Sequence, residues 1–241
     1  MHSLTIQDLS EKLSQLENLL AVKFTNKELL LNACIHSSYV NEHHDEGVDH
    51  NERLEFLGDA VLELVTTEYL YAKFPDKEEG VLTSLRAALV KGPHLADVAL
   101  SLGIGAFLLL SHGEEKGGGR EKKYILANTM EAIIGALYLD QGFDAAKHFI
   151  NRIILTNLDS IIAQGAHVDP KSKLQELAQQ KMEVTPTYTV LSEEGPDHSK
   201  VFTVGAYLGS NLVGQGAGSS KQKGQQSAAQ DALEKLGWKS E

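Results

Sequence analysis

The sequence predicts a mainly α protein in two parts: an all-helical first domain, then a small α-β-β-β-α domain. Three observations predict it. Aliphatic residues recur at helical spacing through most of the chain up to about residue 162. Runs rich in β-branched and aromatic residues, which suit strands, cluster beyond residue 186. Between the two regimes lies Gln164-Gly165-Ala166-His167-Val168-Asp169-Pro170, whose glycine and Asp-Pro step mark a join. The domains are accordingly 1–163 and 169–239, with a linker at 164–168.

The first helix is carried by Leu9, Leu13, Leu16, Leu19 and Leu20, and the next by Leu29, Leu30 and Ala33. A long helix runs from about Glu52 to Lys73 and stops before Pro75, which disfavours helix in the residue before it. Another covers roughly 80–102, with Gly92-Pro93 as a point of division. The glycine-rich stretch Gly113 to Arg120 reads as a loop. A helix over about 125–139 follows, with Gly142 as its cap. The segment 145–162 is helical by period. Beyond the join come a short helix (172–181), three strands (187–191, 201–207, 212–216) and a last helix from Ser219-Ser220. That last helix buries Ala228, Ala229, Ala232, Leu233 and Leu236.

Bulk properties narrow the class. A hydrophobic fraction of 42% suits a soluble globular protein, and no apolar run approaches the ~20 residues that span a bilayer. Membrane partners are therefore not expected. The N-terminus lacks a basic region followed by an apolar stretch, so no secretory signal is read. Cys34 is the sole cysteine; with no intramolecular disulfide available, a reducing cytoplasm is the natural setting. Net charge is −11, but unevenly spread. Residues 1–168 hold 14 basic and 24 acidic side chains, a balance of −10; residues 169–241 hold 8 and 9, a balance of −1. Phosphate binding would rest on local lysines in the second part, with metal ions offsetting acid in the first.

The segment Asn51-Glu52-Arg53-Leu54-Glu55-Phe56-Leu57-Gly58-Asp59-Ala60-Val61-Leu62 is the most informative. Glu52, Glu55 and Asp59 fall at i, i+3 and i+7, one face of a helix, while Leu54, Leu57, Val61 and Leu64 mark an anchoring face. An acidic stripe is usually a solvated face. Stacked like charges repel by roughly a few tenths of a kcal/mol per pair unless a cation lies between them, and oxygen ligands favour magnesium or manganese. Gly58 shifts the balance towards a site. A helical glycine costs about 1 kcal/mol relative to alanine, so it implies close approach by another backbone or by a partner.

Those twelve residues resemble the characteristic run of the ribonuclease III family. A second stretch, Ile125-Leu126-Ala127-Asn128-Thr129-Met130-Glu131-Ala132-Ile133-Ile134-Gly135-Ala136, resembles the family's other marked helix, which usually carries an acid pair at i and i+3. The resemblance implies magnesium, with manganese as a substitute, held by Glu55, Asp59, Asn128 and Glu131. It makes Asp59 and Glu131 catalytic. Glu52 is assigned to the metal shell or a subunit interface. Asn128 departs from the aspartate common at its position; it keeps a carbonyl oxygen and loses the charge. On pattern alone Phe56 would fill a core. The resemblance instead places it in a socket of a second subunit, and so implies a homodimer.

The second part also carries a resemblance. Asp169-Pro170-Lys171-Ser172-Lys173-Leu174-Gln175-Glu176-Leu177, then Gly216-Ala217-Gly218-Ser219-Ser220-Lys221-Gln222-Lys223 with Ala228-Ala229, are similar to the opening and close of a double-stranded-RNA-binding domain. This implies RNA contacts by Gln175, Glu176, His198, Ser220, Lys221 and Lys223. Weaker features are Glu79 and Glu114, which resemble family positions near the cleft that holds the duplex, and Lys116 and Arg120, beside three glycines, which could meet phosphate. The cluster His43, His44, Asp45, Asp49 and His50 lacks regular ligand spacing and reads as a polar loop. The whole implies a metal-dependent endoribonuclease cutting double-stranded RNA to 5′-phosphate and 3′-hydroxyl ends with short 3′ overhangs, in ribosomal and messenger RNA processing. The alternatives are a duplex-binding protein that does not cut, should Asn128 impair the metal site, and a phosphohydrolase of small nucleotides.

Overall fold

A computed structural model describes residues 6–44, 47–163, 169–196 and 199–238. Two units form, Met1–His167 and Val168–Glu241. The expected linker at 164–168 lies outside the described residues.

In the first unit the leucine spacing yields helix α1 (Ile6–Leu20) and α2 (Lys27–Ala33), the latter capped by the Asn26 side chain accepting from the Glu28 amide. A short α3 (Ser37–Glu42) starts at His36, whose ring nitrogen accepts from the Ser38 amide. Helix α4 is Glu52–Lys73, as the Pro75 argument expects. It begins at Asn51, a buried residue whose amide donates to the Ala33 carbonyl. The chain does divide near Gly92-Pro93, into α5 (Glu79–Val90) and α6 (Gly92–Ser101), because proline suits a first turn and not an interior.

Two expectations need correction here. Gly113 to Arg120 is not all loop: α7 (His112–Lys116) forms because Ser111 caps it, its hydroxyl accepting from the Glu114 amide. A 3-10 turn, Gly119–Glu121, follows left-handed Gly118 (φ 75°). The segment 145–162 is not one helix but α9 (Phe143–Ile153), a 3-10 turn (Leu155–Asn157) and α10 (Leu158–Ala163). The tighter turn rotates the chain so that Ile150, Ile154, Leu155 and Leu158 all reach the core, which a straight helix would spread over a wide arc.

The centre of this unit is α8 (Lys123–Gln141), buried on nearly every side from Ile125 to Leu137. A helix apolar all round belongs inside, with other helices around it. Helices α2, α4, α6 and α9 pack on it. It ends at Gly142, whose positive φ (82°) lets its amide reach the Tyr138 carbonyl. Leu64 departs from expectation: it stands 57% exposed on α4, although Leu54 and Val61 are buried. No described helix is long and apolar enough to cross a membrane.

The second unit runs α11 (Pro170–Met182), β1 (Thr187–Glu194), β2 (Val201–Leu208), β3 (Asn211–Gly218) and α12 (Lys221–Lys235). The strands make an antiparallel sheet in the order β1-β2-β3, with Val190 opposite Val204 and Gly205 opposite Gln215. Leu174, Ala178, Val204, Ala206, Ala228, Ala229, Ala232 and Leu233 form its core. Small residues let α12 sit close to the sheet: a Cβ on Gly216 would meet the Ala228 amide at 2.3 Å. Gly224 is buried in the same contact, where a Cβ would lie 2.7 Å from a Val204 methyl.

Candidate active site

The site is made by a helix crossing. A Cβ on Gly58 of α4 would lie 1.8 Å from the Glu131 carbonyl oxygen, and one on Gly135 of α8 would lie 2.2 Å from that of Leu54. Each glycine admits the other helix's backbone, the close approach that Gly58 foretells. The crossing brings the polar residues beside it into one electrostatic neighbourhood: Glu55 and Asp59 from α4, Asn128 and Glu131 from α8.

Their electrostatics show how crowded they are. Glu131 is half-buried, and its carboxyl is pushed up to about 7, first by burial, then by the charges of Asp59 and Glu55. Glu55 is also raised, by burial and by Glu52 and Asp59, against a lowering hydrogen bond from the Asn128 amide. Asp59 and Glu52 are exposed, with a His50 ring nitrogen 3.7 Å from the Glu52 carboxylate. Among the described residues no three His, Cys, Asp or Glu side chains converge closely enough to hold a metal ion. Charge coupling reaches further than coordination, so the three acids are neighbours without yet sharing a point. The donor set is carboxylate and amide oxygen, which suits a hard divalent cation. A cation also opposes both causes of the rise at Glu55 and Glu131, burial first and then repulsion, because it favours the charged carboxylates. In both chemistry and charge, the residues present fit magnesium.

Phe56 does not fill this unit's core; it is 81% exposed. With Ala60 and Leu64, both exposed, it recurs every four residues along α4, apolar positions left open by the described residues of its own unit.

The remaining candidates divide. Glu79 is exposed and accepts from the Thr83 hydroxyl. Glu114 pairs with Lys122 at 2.5 Å, which holds its carboxyl below the usual range. Sequence reasoning missed Lys122 as that partner, since the two lie eight residues apart with a turn between them. Arg120 is committed to structure: it donates to the Gly105 and Leu108 carbonyls and to Glu115, so it is not available for phosphate. Lys116 is exposed. His43 stacks on Tyr39, with centroids 4.0 Å apart.

In the second unit, Ser220 caps α12, its hydroxyl accepting from the Lys223 amide at 3.2 Å. Lys221 and Lys223 are exposed on the first turn, Lys221 with its ammonium 3.3 Å from Glu193. Gln175 is exposed and lines a small cleft with Ser172, Tyr188, Gln222 and Gln226. Glu176 is exposed and paired with Lys173 at 3.2 Å. His198 lies outside the described residues. Tyr188, Phe202 and Trp238 pack against the core rather than offering open faces.

Comparison with known proteins identifies the family. Residues 26–158 match the model of the family described as ribonuclease-III-like, and residues 170–236 that of the double-stranded RNA binding motif. The chain is 45% identical over 226 residues to ribonuclease 3 of Desulforamulus reducens, covering 94% of this chain and 92% of that one. It is 48% identical over 228 residues to ribonuclease 3 of Geobacillus kaustophilus, covering 93% and 91%. A solved nuclease domain of ribonuclease III from Campylobacter jejuni, described as flexible in a region involved in dimer formation, superposes with a TM-score of 0.55 at 48% identity. It covers 61% of this chain and 96% of that one. The chain belongs to the ribonuclease III family, as a ribonuclease III-type endonuclease with a C-terminal double-stranded-RNA-binding domain.

Proposed function

We propose that the protein is a divalent-metal-dependent endoribonuclease that cuts both strands of duplex RNA. The products carry 5′-phosphate and 3′-hydroxyl ends with short 3′ overhangs, and the setting is ribosomal and messenger RNA processing in the cytoplasm. One observation carries the reading: α4 and α8 cross at Gly58 and Gly135, so acids from two helices crowd together.

Glu55, Asp59, Asn128 and Glu131 are the proposed metal ligands. Magnesium, when bound, supplies charge relief on the phosphodiester and activation of the attacking water. Asp59 and Glu131 orient that water and the reacting phosphate; exposed Asp59 faces solvent and half-buried Glu131 backs the site. Glu52 supports the metal shell or the subunit interface. Phe56 enters a second copy of the chain, so that two sites act on two strands. The Campylobacter domain's region of dimer formation supports this pairing. Gln175, Glu176, His198, Ser220, Lys221 and Lys223 hold the duplex through phosphates and 2′-hydroxyls, the features an A-form helix presents. The buried Cys34 thiol, pushed up to about 12, is inert and suits a reducing compartment.

Asn128 and the unconverged acids favour a second reading, a duplex-binding protein that does not cut. Incubating end-labelled duplex RNA with magnesium or with calcium decides between them. Staggered cuts with magnesium alone are expected from the wild-type chain, with Asn128→Asp unnecessary for activity. Asn128→Asp should also bind magnesium about tenfold more tightly by calorimetry, since it adds a ligand charge. A wild type that binds duplex but cuts only after Asn128→Asp establishes the second reading. A chain that binds no duplex points to a small-nucleotide phosphohydrolase.

A further inference from the structure

Tyr124 shares a helix face with two residues of the proposed cutting site. Tyr124, Asn128 and Glu131 fall at i, i+4 and i+7, within an arc of about 60° around the axis of α8. Burial is graded along that face. Gly135 is buried at the crossing with α4, Glu131 and Asn128 are half-buried, and Tyr124 is 56% exposed. The face thus opens outward from the crossing, and Tyr124 stands at its mouth, about 6 Å along the axis from Asn128.

The phenol is available. It forms no hydrogen bond among the described residues. The two lysines before it are both paired with acids, Lys122 with Glu114 at 2.5 Å and Lys123 with Asp97 at 2.7 Å. A strand entering the acidic site along this face passes a phenol without a hydrogen-bond partner before it meets the carboxylates. An exposed tyrosine by itself is ordinary surface. A free donor on the face that carries the proposed ligands is placed to meet the polyanion those ligands act on.

We propose that Tyr124 contacts the strand being cut, its hydroxyl donating to an oxygen of a phosphate next to the scissile one and so fixing which linkage is hydrolysed. The inference rests on the proposed cutting site and assigns that site a specificity-determining residue.

The test uses the full chain with Tyr124→Phe and Tyr124→Ala. Single-turnover cleavage of end-labelled duplex is followed with magnesium, and duplex affinity is measured with calcium. Loss of a hydrogen bond to a charged group should slow both variants about tenfold. Both should also spread the cuts over neighbouring linkages. Affinity should change by less than about threefold, because the lysines of the C-terminal unit supply most of the phosphate contacts. Tyr124→Phe keeps the ring and its packing, so a loss there cannot be misfolding. Wild-type rate and cut position in Tyr124→Phe overturn the inference, even if Tyr124→Ala is slow. Glu131→Gln is run in parallel. Cleavage persisting there overturns the site itself, whereas an inactive Glu131→Gln beside an unaltered Tyr124→Phe removes only the role of Tyr124.

Discussion

At the scale of single residues, Glu131 carries the most specific consequence. Its carboxyl, raised to about 7 by burial and by two neighbouring acids, keeps a proton that the unfolded chain has already lost near pH 4.5. In the folded, chelator-treated protein this proton is bound more tightly than in the unfolded chain. The group's contribution to stability is therefore fully present below pH 4.5 and is lost as pH rises to about 7. Lowered carboxyls such as Asp140 and Asp231 act in the opposite sense, so the difference between wild type and Glu131→Gln isolates the effect. In chelator, thermal melts should show the variant gaining on wild type across that window by about 1–2 kcal/mol, discounted for partial exposure. The same variant should lose cleavage with magnesium by about a thousandfold or more. A flat difference across pH would mean that Glu131 does not sit among other acids.

At the scale of elements, the crossing of α4 and α8 explains what the sequence could and could not say. The limits of α4 were legible because Pro75 and the leucine period are local signals. So was the need for backbone approach at Gly58, since a helical glycine without a packing partner is a net cost. The partner itself was not legible: nothing in the segment names Glu131 or Gly135 as what fills the space. The same limit applies at Gly224: a helical glycine is a cost by propensity, yet this one is the place where α12 rests on Val204. The helix at His112–Lys116 was hidden because glycine content suggested a loop while one capping serine decided otherwise. The acids of the site were legible by type and spacing, but the commitment of Arg120 to three structural partners depended on a fold not written in its neighbours. Gly58→Ala tests the crossing directly. Propensity alone would stabilise α4 by about 1 kcal/mol. A Cβ 1.8 Å from a backbone carbonyl must instead push the helices apart. The expected result is a net loss of about 3 kcal/mol in denaturant unfolding of the first unit, together with loss of cleavage. A variant as stable and active as wild type would show that the helices do not approach this closely.

At the scale of the whole molecule, charge and exposed apolar surface make opposite demands. The first unit bears nearly all of the −11 net charge, which opposes both RNA and a second copy of itself. Any association through α4 must therefore be driven by apolar burial. Phe56, 81% exposed and followed at four-residue steps by Ala60 and Leu64, provides it. Burying a phenylalanine contributes about 1.5–3 kcal/mol, and two-fold symmetry counts it twice. Phe56→Ala should thus raise the dimer dissociation constant about a hundredfold or more, as measured by sedimentation equilibrium. The monomer should still fold, since Phe56 touches no core of its own. The products should change in kind as well as amount: with one site per encounter, duplex substrate should accumulate single-strand nicks before double cuts. Salt gives a further discriminant, because screening weakens repulsion between acidic subunits and leaves apolar burial in place. The variant's residual dimer should then strengthen as salt rises. A Phe56→Ala protein that sediments as wild type and makes paired cuts would locate the subunit contact elsewhere and leave the apolar face of α4 without this role.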